Sequence, residues 1–386
     1  MTEASRDLRL DFFRGVALFS IFLDHIPDNV VAQFTLQSLM LADAAEVFIL
    51  VSGYTAGMVY GRALDRQGFL PAAVRVGHRV WQLYVAHVFL FVMFMALMSY
   101  TVGALNNSLY AEELLAAEFL NEPGVAVVKA MLLQFQPAFM DILPLYIVLL
   151  ALLPVALPAF RVWPWAVLVG SAGLWLAVQV NPRIALPAYP GPDKFWFFNP
   201  LAWQALFLIG AWLGWRGLRG PIAWFGRPWL IGTAVAVALI GFVIRFSWML
   251  HGFYDPIPAL VNTKLLWRFL SKTDLGPLRI ANVMALALLV ARFIPPQAGF
   301  LAGRVAWSFV VCGRHSLHIF CLGILLSVVG HLVLSEVFGG MVMQVVVSAA
   351  GMALMVAVAS LMEWYASSRA GVERRVPERA PTGSES

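Results

Sequence analysis

The sequence predicts an all-α polytopic membrane protein with about ten transmembrane helices, and three observations carry that prediction. The first is composition. Of 386 residues, 61% are hydrophobic and only 12% are charged, where an average soluble domain carries roughly 25% charged residues. Such a chain cannot cover itself with polar surface, so its solvent is largely lipid. A soluble enzyme, a disordered scaffold and a nucleic-acid-binding domain are excluded; the net charge of +5 does not bring the last back, because the basic residues are dispersed in loops. The second observation is hydropathy, which marks ten apolar stretches: 11–33, 44–62, 80–104, 138–160, 163–180, 199–216, 229–247, 278–294, 312–334 and 341–364. The third is charge asymmetry. With the N-terminus placed in the cytoplasm, seventeen Lys and Arg fall in inner segments and seven in outer ones. That is the positive-inside bias, and it puts both termini in the cytoplasm.

Taken in order, the first stretch reads as a spanning helix and not a cleavable signal. Its apolar run Val16–Leu23 is short, is followed by Asp24 and His25, and has no small-x-small site after it. The second opens on Asp43 and Glu46, and the third follows a cluster of arginines. The stretch 125–135 is too short to cross and reads as a re-entrant or interfacial helix. Trp163, Trp165, Trp196, Phe197, Phe198, Trp212 and Trp215 sit near predicted span ends, as interface belts do. Cys312 and Cys321 lie nine apart in one apolar stretch. At ~100° per residue they fall on opposite sides of one helix, cannot pair within it, and read as small apolar fillers. Residues 1–366 form one transmembrane domain, and 367–386 a disordered, basic cytoplasmic tail. No internal repeat, Gly-rich phosphate loop, metal-ligand spacing or Gly-x-Ser-x-Gly motif is present.

Ionisable residues inside spans are expensive and point to function. The first span holds the densest set: Asp11, Arg14, Asp24 and His25. Eleven helical steps from Arg14 to His25 return to within ~20° of the start and rise ~16 Å. Asp11 lies within about 40° of that line. A polar stripe of this kind must line a cavity or pair with other helices. Asp43 and Glu46, three apart, share a helix face at the depth of His25; Glu46 is expected to contact His25 or a substrate, with helix capping the open alternative. Asp141, Asn199, Gln204, Arg245, Lys272, Asp274 and Arg279 gather at the outer ends of spans with Trp196, Trp203 and Trp267. This is a polar and aromatic set suited to a carbohydrate, or to loop solvation and capping. On the inner side Arg314, His315 and His318 open the ninth span, with Arg314 and His318 four apart on one face. His87 and His331 read as structural.

Arg-x10-His on a first spanning helix is also the signature of the transmembrane acyltransferase-three superfamily. Within it the chain closely resembles the OpgC family, which modifies osmoregulated periplasmic glucans with succinyl groups. The matching stretches are RDLRLDFFRGVALFSIFLDHIPDN (6–29), DAAEVFILVSGYTAGMVYGR (43–62), MDILPLYIVLLALLP (140–154), FFNPLAWQALFLIGA (197–211), KTDLGPLRIANVMALA (272–287) and GRHSLHIFCLG (313–323). The resemblance implies a transmembrane acyltransferase fold in the bacterial inner membrane. It also implies acyl-CoA, succinyl-CoA above all, as donor substrate, no permanently bound cofactor, and a periplasmic glucan as acceptor. On that reading Arg14, aided by Arg314 and His318, meets the CoA phosphates, and His25 acts as general base or as acyl carrier. Asp24 or a carboxylate from another helix, Glu46 first, orients His25. Asp43, Asp141, Asn199, Gln204, Lys272, Asp274 and Arg279 contact the acceptor, and Arg279 or Arg245 meets the succinyl carboxylate. A secondary transporter, or a translocator of acyl groups or glucan, would use the same intramembrane charges. It would expect paired interrupted helices in two halves, and no such internal symmetry is seen.

Overall fold

The computed structural model describes residues 7–105, 109–220, 222–253 and 267–373. Their regular structure is helical; among them there is no strand, only an isolated bridge between Pro187 and Phe195. Twelve helices frame the molecule: α1 (Leu8–Asp24), α2 (Ala44–Gln67), α3 (Phe69–Leu105), α4 (Ile142–Ala151), α5 (Leu153–Val162), α6 (Pro164–Val180), α7 (Pro200–Gly217), α8 (Pro228–Phe253), α9 (Pro277–Phe293), α10 (Arg304–Arg314), α11 (Ser316–Glu336) and α12 (Met341–Glu373). Five of them, α2, α3, α8, α11 and α12, contain segments long and apolar enough to cross a membrane, and six spans result if α4 and α5, bent by 44°, are one. The chain is a membrane protein. The other predicted spans coincide with α1, α6, α7 and α9, which are only 17 or 18 residues long.

Local chemistry sets the helix ends. Asp7 caps α1, accepting a bond from the Arg9 amide. Asp43 and Glu46 form a reciprocal capping box at the start of α2, satisfying amides that have no partner within the helix. Gly68, at φ 86°, ends α2. Asn199 caps α7 ahead of Pro200. Several sequence expectations need correction. The first span does not continue to residue 33: α1 stops at Asp24 and His25 is its C-cap, because Pro27 lacks the N–H that would extend the ladder. The ninth does not begin at 312, since α10 ends at Arg314 and α11 starts anew at Ser316. Cys312 and Cys321 therefore lie on different helices, and both are free. Trp196 and Trp215 are buried and do not belong to an interface belt, whereas Trp163 and Trp165 are exposed. The stretch expected at 125–135 is a short helix, Pro123–Met131, held against α3 where the Tyr84 hydroxyl donates to the Met131 carbonyl. The tail expected at 367–386 is helical as far as Glu373, and 374–386 lie outside the described residues.

The centre of the molecule is the pair α2 and α7, with α1, α3 and α4 around it. Over half of the apolar window of α2 is buried (56%), against 17% for α8 and 22% for α12, so those two present most of their surface outward, to lipid. The contact of α2 with α7 is backbone to backbone. A Cβ at Gly53 would strike Phe207, one at Gly57 would strike Ala211, and one at Gly214 would strike the Tyr54 carbonyl. Small residues permit such approaches between membrane helices. Glycine serves the same purpose where α1 crosses α10, at Gly15 against Phe309 and Gly313 against Asp11. Gly214→Val should destabilise the protein by about 1–3 kcal/mol through overpacking, read as a lower thermal aggregation temperature in detergent. Gly77→Ala, in α3 where nothing lies within 4 Å of the added Cβ, should leave that temperature unchanged or raise it.

Candidate active site

The end of α1 and the starts of α2 and α4 open onto one cavity of about 950 Å³. The loops 135–139, 188–198 and 272–273 complete its walls. Helix termini collect here for a simple reason: each polar residue that stops or caps a helix is delivered to the layer where helices end. His25 caps α1, Asp43 caps α2 and Asp141 stands one residue before α4. Of the residues singled out in the sequence, Asp24, His25, Asp43, Asp141 and Lys272 line the cavity, with the aromatic side chains of Trp196, Phe197 and Phe198.

His25 lies face to face with Phe139, ring centroids 4.3 Å apart and planes 25° from parallel. Its Nδ1 is buried and has no hydrogen-bond partner among the described residues, which leaves Nε2 as the ring nitrogen available to the cavity. Asp24 does not orient this ring; it accepts a 2.6 Å hydrogen bond from the Thr35 hydroxyl.

Behind the wall lies a network of buried charge. Asp43 pairs with Lys272 at 2.7 Å and with Arg279 at 3.0 Å. Glu46, fully buried, accepts from Arg279 Nε with one oxygen and from the Asp43 amide with the other, at 3.0 Å. The expectation that Glu46 touches His25 or a substrate is not what the structure places there: both its oxygens are engaged, and the residue stands outside the cavity lining. The capping alternative describes it. Arg279 is likewise taken up by Asp43 and Glu46 and does not line the cavity. Burial would push the Lys272 ammonium down, but Asp43 and Glu46 outweigh it and hold it above the usual lysine range. Burial likewise opposes ionisation of Asp43, and Lys272 and Arg279 overcome it, holding this carboxyl below the usual range.

The remaining expected contacts brace the site from outside. Asn199 bonds the Ile184 carbonyl at 2.9 Å and Asp274 at 3.3 Å. Asp274, its carboxyl raised mainly by burial, also accepts from Ser271. The Trp203 indole donates to the carbonyls of Lys272 and Thr273, 3.1 Å from each, so the loop carrying Lys272 is tied to α7. Gln204 is remote from the cavity lining and bridges α7 to Ser171 of α6 at 2.7 Å. Arg245 donates to the Gln37 carbonyl, and Trp267 is exposed. His331 stands 3.3 Å from Glu113, and His87 is fully buried on α3.

At the other end of α1, Arg14 is half-buried one turn beyond Asp11. Arg314 pairs with Glu363 at 2.6 Å and approaches Asp11 at 3.9 Å, and His315 reaches the other Glu363 oxygen at 3.0 Å. The helix break at His315 separates Arg314, ending α10, from the exposed His318 on α11, so these two do not share one helical face as expected.

Nothing in the sequence marks Phe139, and Trp196 reads there both as an interface residue and as part of an aromatic surface for a carbohydrate; the cavity position bears out the second placement. The Trp196 Nε1 is buried without a hydrogen-bond partner among the described residues and the side chain lines the cavity. Glu112, Glu118, Tyr189 and Lys194 also line it. Their signal was weak: they lie between spans, Glu112 and Glu118 on five-residue helices and Tyr189 and Lys194 in a loop, with no periodicity to mark a face.

Removing one member of the buried network should cost more than removing the pair. Arg279→Met, which strands Glu46 and loosens Asp43, should destabilise the protein by about 3–5 kcal/mol. Adding Glu46→Gln should recover much of that loss, since glutamine still accepts the Asp43 amide. Thermal unfolding of both variants in detergent is the check.

A family model described as OpgC protein matches residues 6–367. No curated protein and no solved structure matches the chain. The family match covers nearly the whole sequence, including both ends of α1 and every wall of the cavity, and it suggests an acyltransferase involved in glucan modification. The chain belongs to the OpgC family.

Proposed function

We propose that this protein is a membrane-embedded O-acyltransferase that moves an acyl group, succinyl first among candidates, from cytoplasmic acyl-CoA to hydroxyls of osmoregulated periplasmic glucans. The observation that carries the proposal is His25. Its imidazole faces a cavity large enough for a sugar unit and walled by carboxylates and aromatic rings, while the family match places the chain among OpgC proteins. In this reading the chain crosses the bacterial inner membrane ten times, with the transmembrane acyltransferase fold, both termini in the cytoplasm and the cavity on the periplasmic side.

The chemistry follows from the ring's single open nitrogen. A glucan hydroxyl gives its proton to His25 Nε2 as its oxygen attacks the thioester carbonyl. The tetrahedral intermediate then collapses with cleavage of the C–S bond, and the imidazolium returns the proton to the departing thiolate. Direct transfer keeps the donor, acceptor and base in one cavity; in the alternative, Nε2 itself attacks the thioester carbonyl and forms a C–N bond as the C–S bond breaks, and the glucan hydroxyl then forms the ester C–O bond as that C–N bond breaks, its proton passing to the released imidazole. Arg14 lies ~16 Å below His25 along α1, a span comparable to a pantetheine arm. With Arg314 and His318 it meets the CoA phosphates, for which guanidinium groups are suited. Asp24, Asp43 and Asp141 hold acceptor hydroxyls. Lys272, and not Arg279 or Arg245, receives the succinyl carboxylate: its side chain is about one-third exposed, 32%, on the cavity wall, and after bonding Asp43 an ammonium has donors to spare.

His25→Ala should lower transfer from succinyl-CoA to glucan by about 10²-fold or more, measured with labelled donor on purified protein in lipid vesicles. Undiminished transfer by folded mutant protein would sink the assignment of the base, and no transfer by the wild type from any acyl-CoA would favour a translocator. Lys272→Met should lower kcat/KM for succinyl-CoA about tenfold or more, the scale of a lost charged hydrogen bond, and leave acetyl-CoA within about twofold. Equal losses for both donors would remove Lys272 from acyl selection.

A further inference from the structure

A histidine that shuttles a proton is ordinarily held by an acceptor at its second nitrogen, which sets the tautomer and the ring plane. Here no such acceptor stands at Nδ1 among the described residues. Three carboxylates of the site are committed elsewhere: Asp24 to Thr35, Asp43 to Lys272 and Arg279, Glu46 to Arg279; Asp141 and the glutamates of the cavity wall make no hydrogen bond to this ring nitrogen. What does touch the ring is Phe139, stacked on its face at 4.3 Å.

We propose that Phe139 is the positioning residue for His25, holding the imidazole plane by stacking in place of a carboxylate partner. This inference rests on His25 being the base.

The backbone around Phe139 supports it. Phe139 adopts φ 69°, a left-handed conformation uncommon for a residue with a bulky side chain. It is the third residue of a turn closed by the Met140 amide on the Pro137 carbonyl at 3.1 Å, a position where positive φ calls for glycine or asparagine. The turn is fastened on both sides. The Ala138 amide donates to the Leu114 carbonyl at 3.1 Å, Phe135 and Met140 are buried in the core, and Asp141 leads directly into α4. The surroundings thus over-determine a backbone that phenylalanine alone disfavours. Glycine would relieve the strain and remove the ring. Stacking constrains rotation about the Cβ–Cγ bond, because tilting either ring breaks the facing contact, and so Nε2 keeps its aim into the cavity. It does so without drawing charge onto Nδ1, which a carboxylate partner would do.

The test separates positioning from packing and from the identity of the base. Phe139→Leu keeps an apolar side chain and loses the flat face; Phe139→Tyr keeps the face; Phe139→Gly suits the turn and removes the side chain. On protein in vesicles, Leu and Gly should lower kcat by about 10- to 100-fold, the scale of a misaimed catalytic group. KM for acyl-CoA and for glucan should stay within about twofold, and Tyr should stay close to wild type. In a sample with isotope-labelled histidine, the His25 ring protons, assigned with His25→Ala, should carry a ring-current shift that Leu and Gly abolish and Tyr retains. Wild-type kcat in the Leu and Gly variants would overturn the positioning role, as would loss of kcat in them with the ring-current shift intact. Full activity of His25→Ala would instead overturn the base itself, so the two failures are distinct.

Discussion

The buried Arg279 guanidinium, set between Asp43 and Glu46, is the interaction on which the cavity depends. Two carboxylates on one turn of a buried helix end are tolerated only where cations and hydrogen bonds compensate both. Arg279 comes from α9, and Lys272 from the loop that leads into it. One charge network therefore fastens the start of α2, the start of α9 and the connecting loop. The capping box adds a second use of the same carboxylates, since Asp43 and Glu46 also satisfy the first amides of α2. Helix capping and ion pairing are usually separate devices; here they share atoms, which couples the position of a helix end to the charge of a cavity wall.

The opposite wall is built by different means. α1 ends where Pro27 withholds a backbone donor, and His25 is left at the helix tip. The short helix Pro123–Met131 turns back through Phe135 and Phe139 to enter α4, bringing an aromatic face against the imidazole. One part of the cavity wall is thus tied by ion pairs, and the part around His25 by packing and turns, with carboxylates and aromatic rings in both.

Salt bridges tie the far ends of the helices together. Arg161 and Arg219 converge on Asp65 where α2, α5 and α7 end, and Arg219 also covers the Trp215 ring at 3.8 Å. Arg314, His315 and Glu363 hold the break between α10 and α11 against α12. α1 connects this end to the cavity, carrying Arg14 at one level and His25 at the other. It can run so deep in the bundle because Gly15 lets α10 approach its backbone closely.

The sequence by itself determined the class of molecule and the location of its polar helix, because both follow from local quantities. Hydropathy counts residues along a line, and the 3.6-residue period places Arg14 and His25 on one face without reference to any other helix. The Asp43–Glu46 spacing was equally readable as a cap, whereas Pro27 did not read as the stop it is, and the predicted first span runs through it to residue 33. Family membership was legible for the same reason, since it is a property of residues in order. Only the tertiary structure decided partnership. Glu46 and Arg279 were both placed at the right depth, yet whether a buried carboxylate faces a histidine or an arginine 233 positions away is a matter of helix rotation and neighbour identity, which no single segment encodes. The same holds for Asn199, Gln204 and Asp274, which turned from substrate contacts into braces. It holds also for Phe139, whose loop has no periodicity to read and whose ring matters only because the end of another helix lies against it.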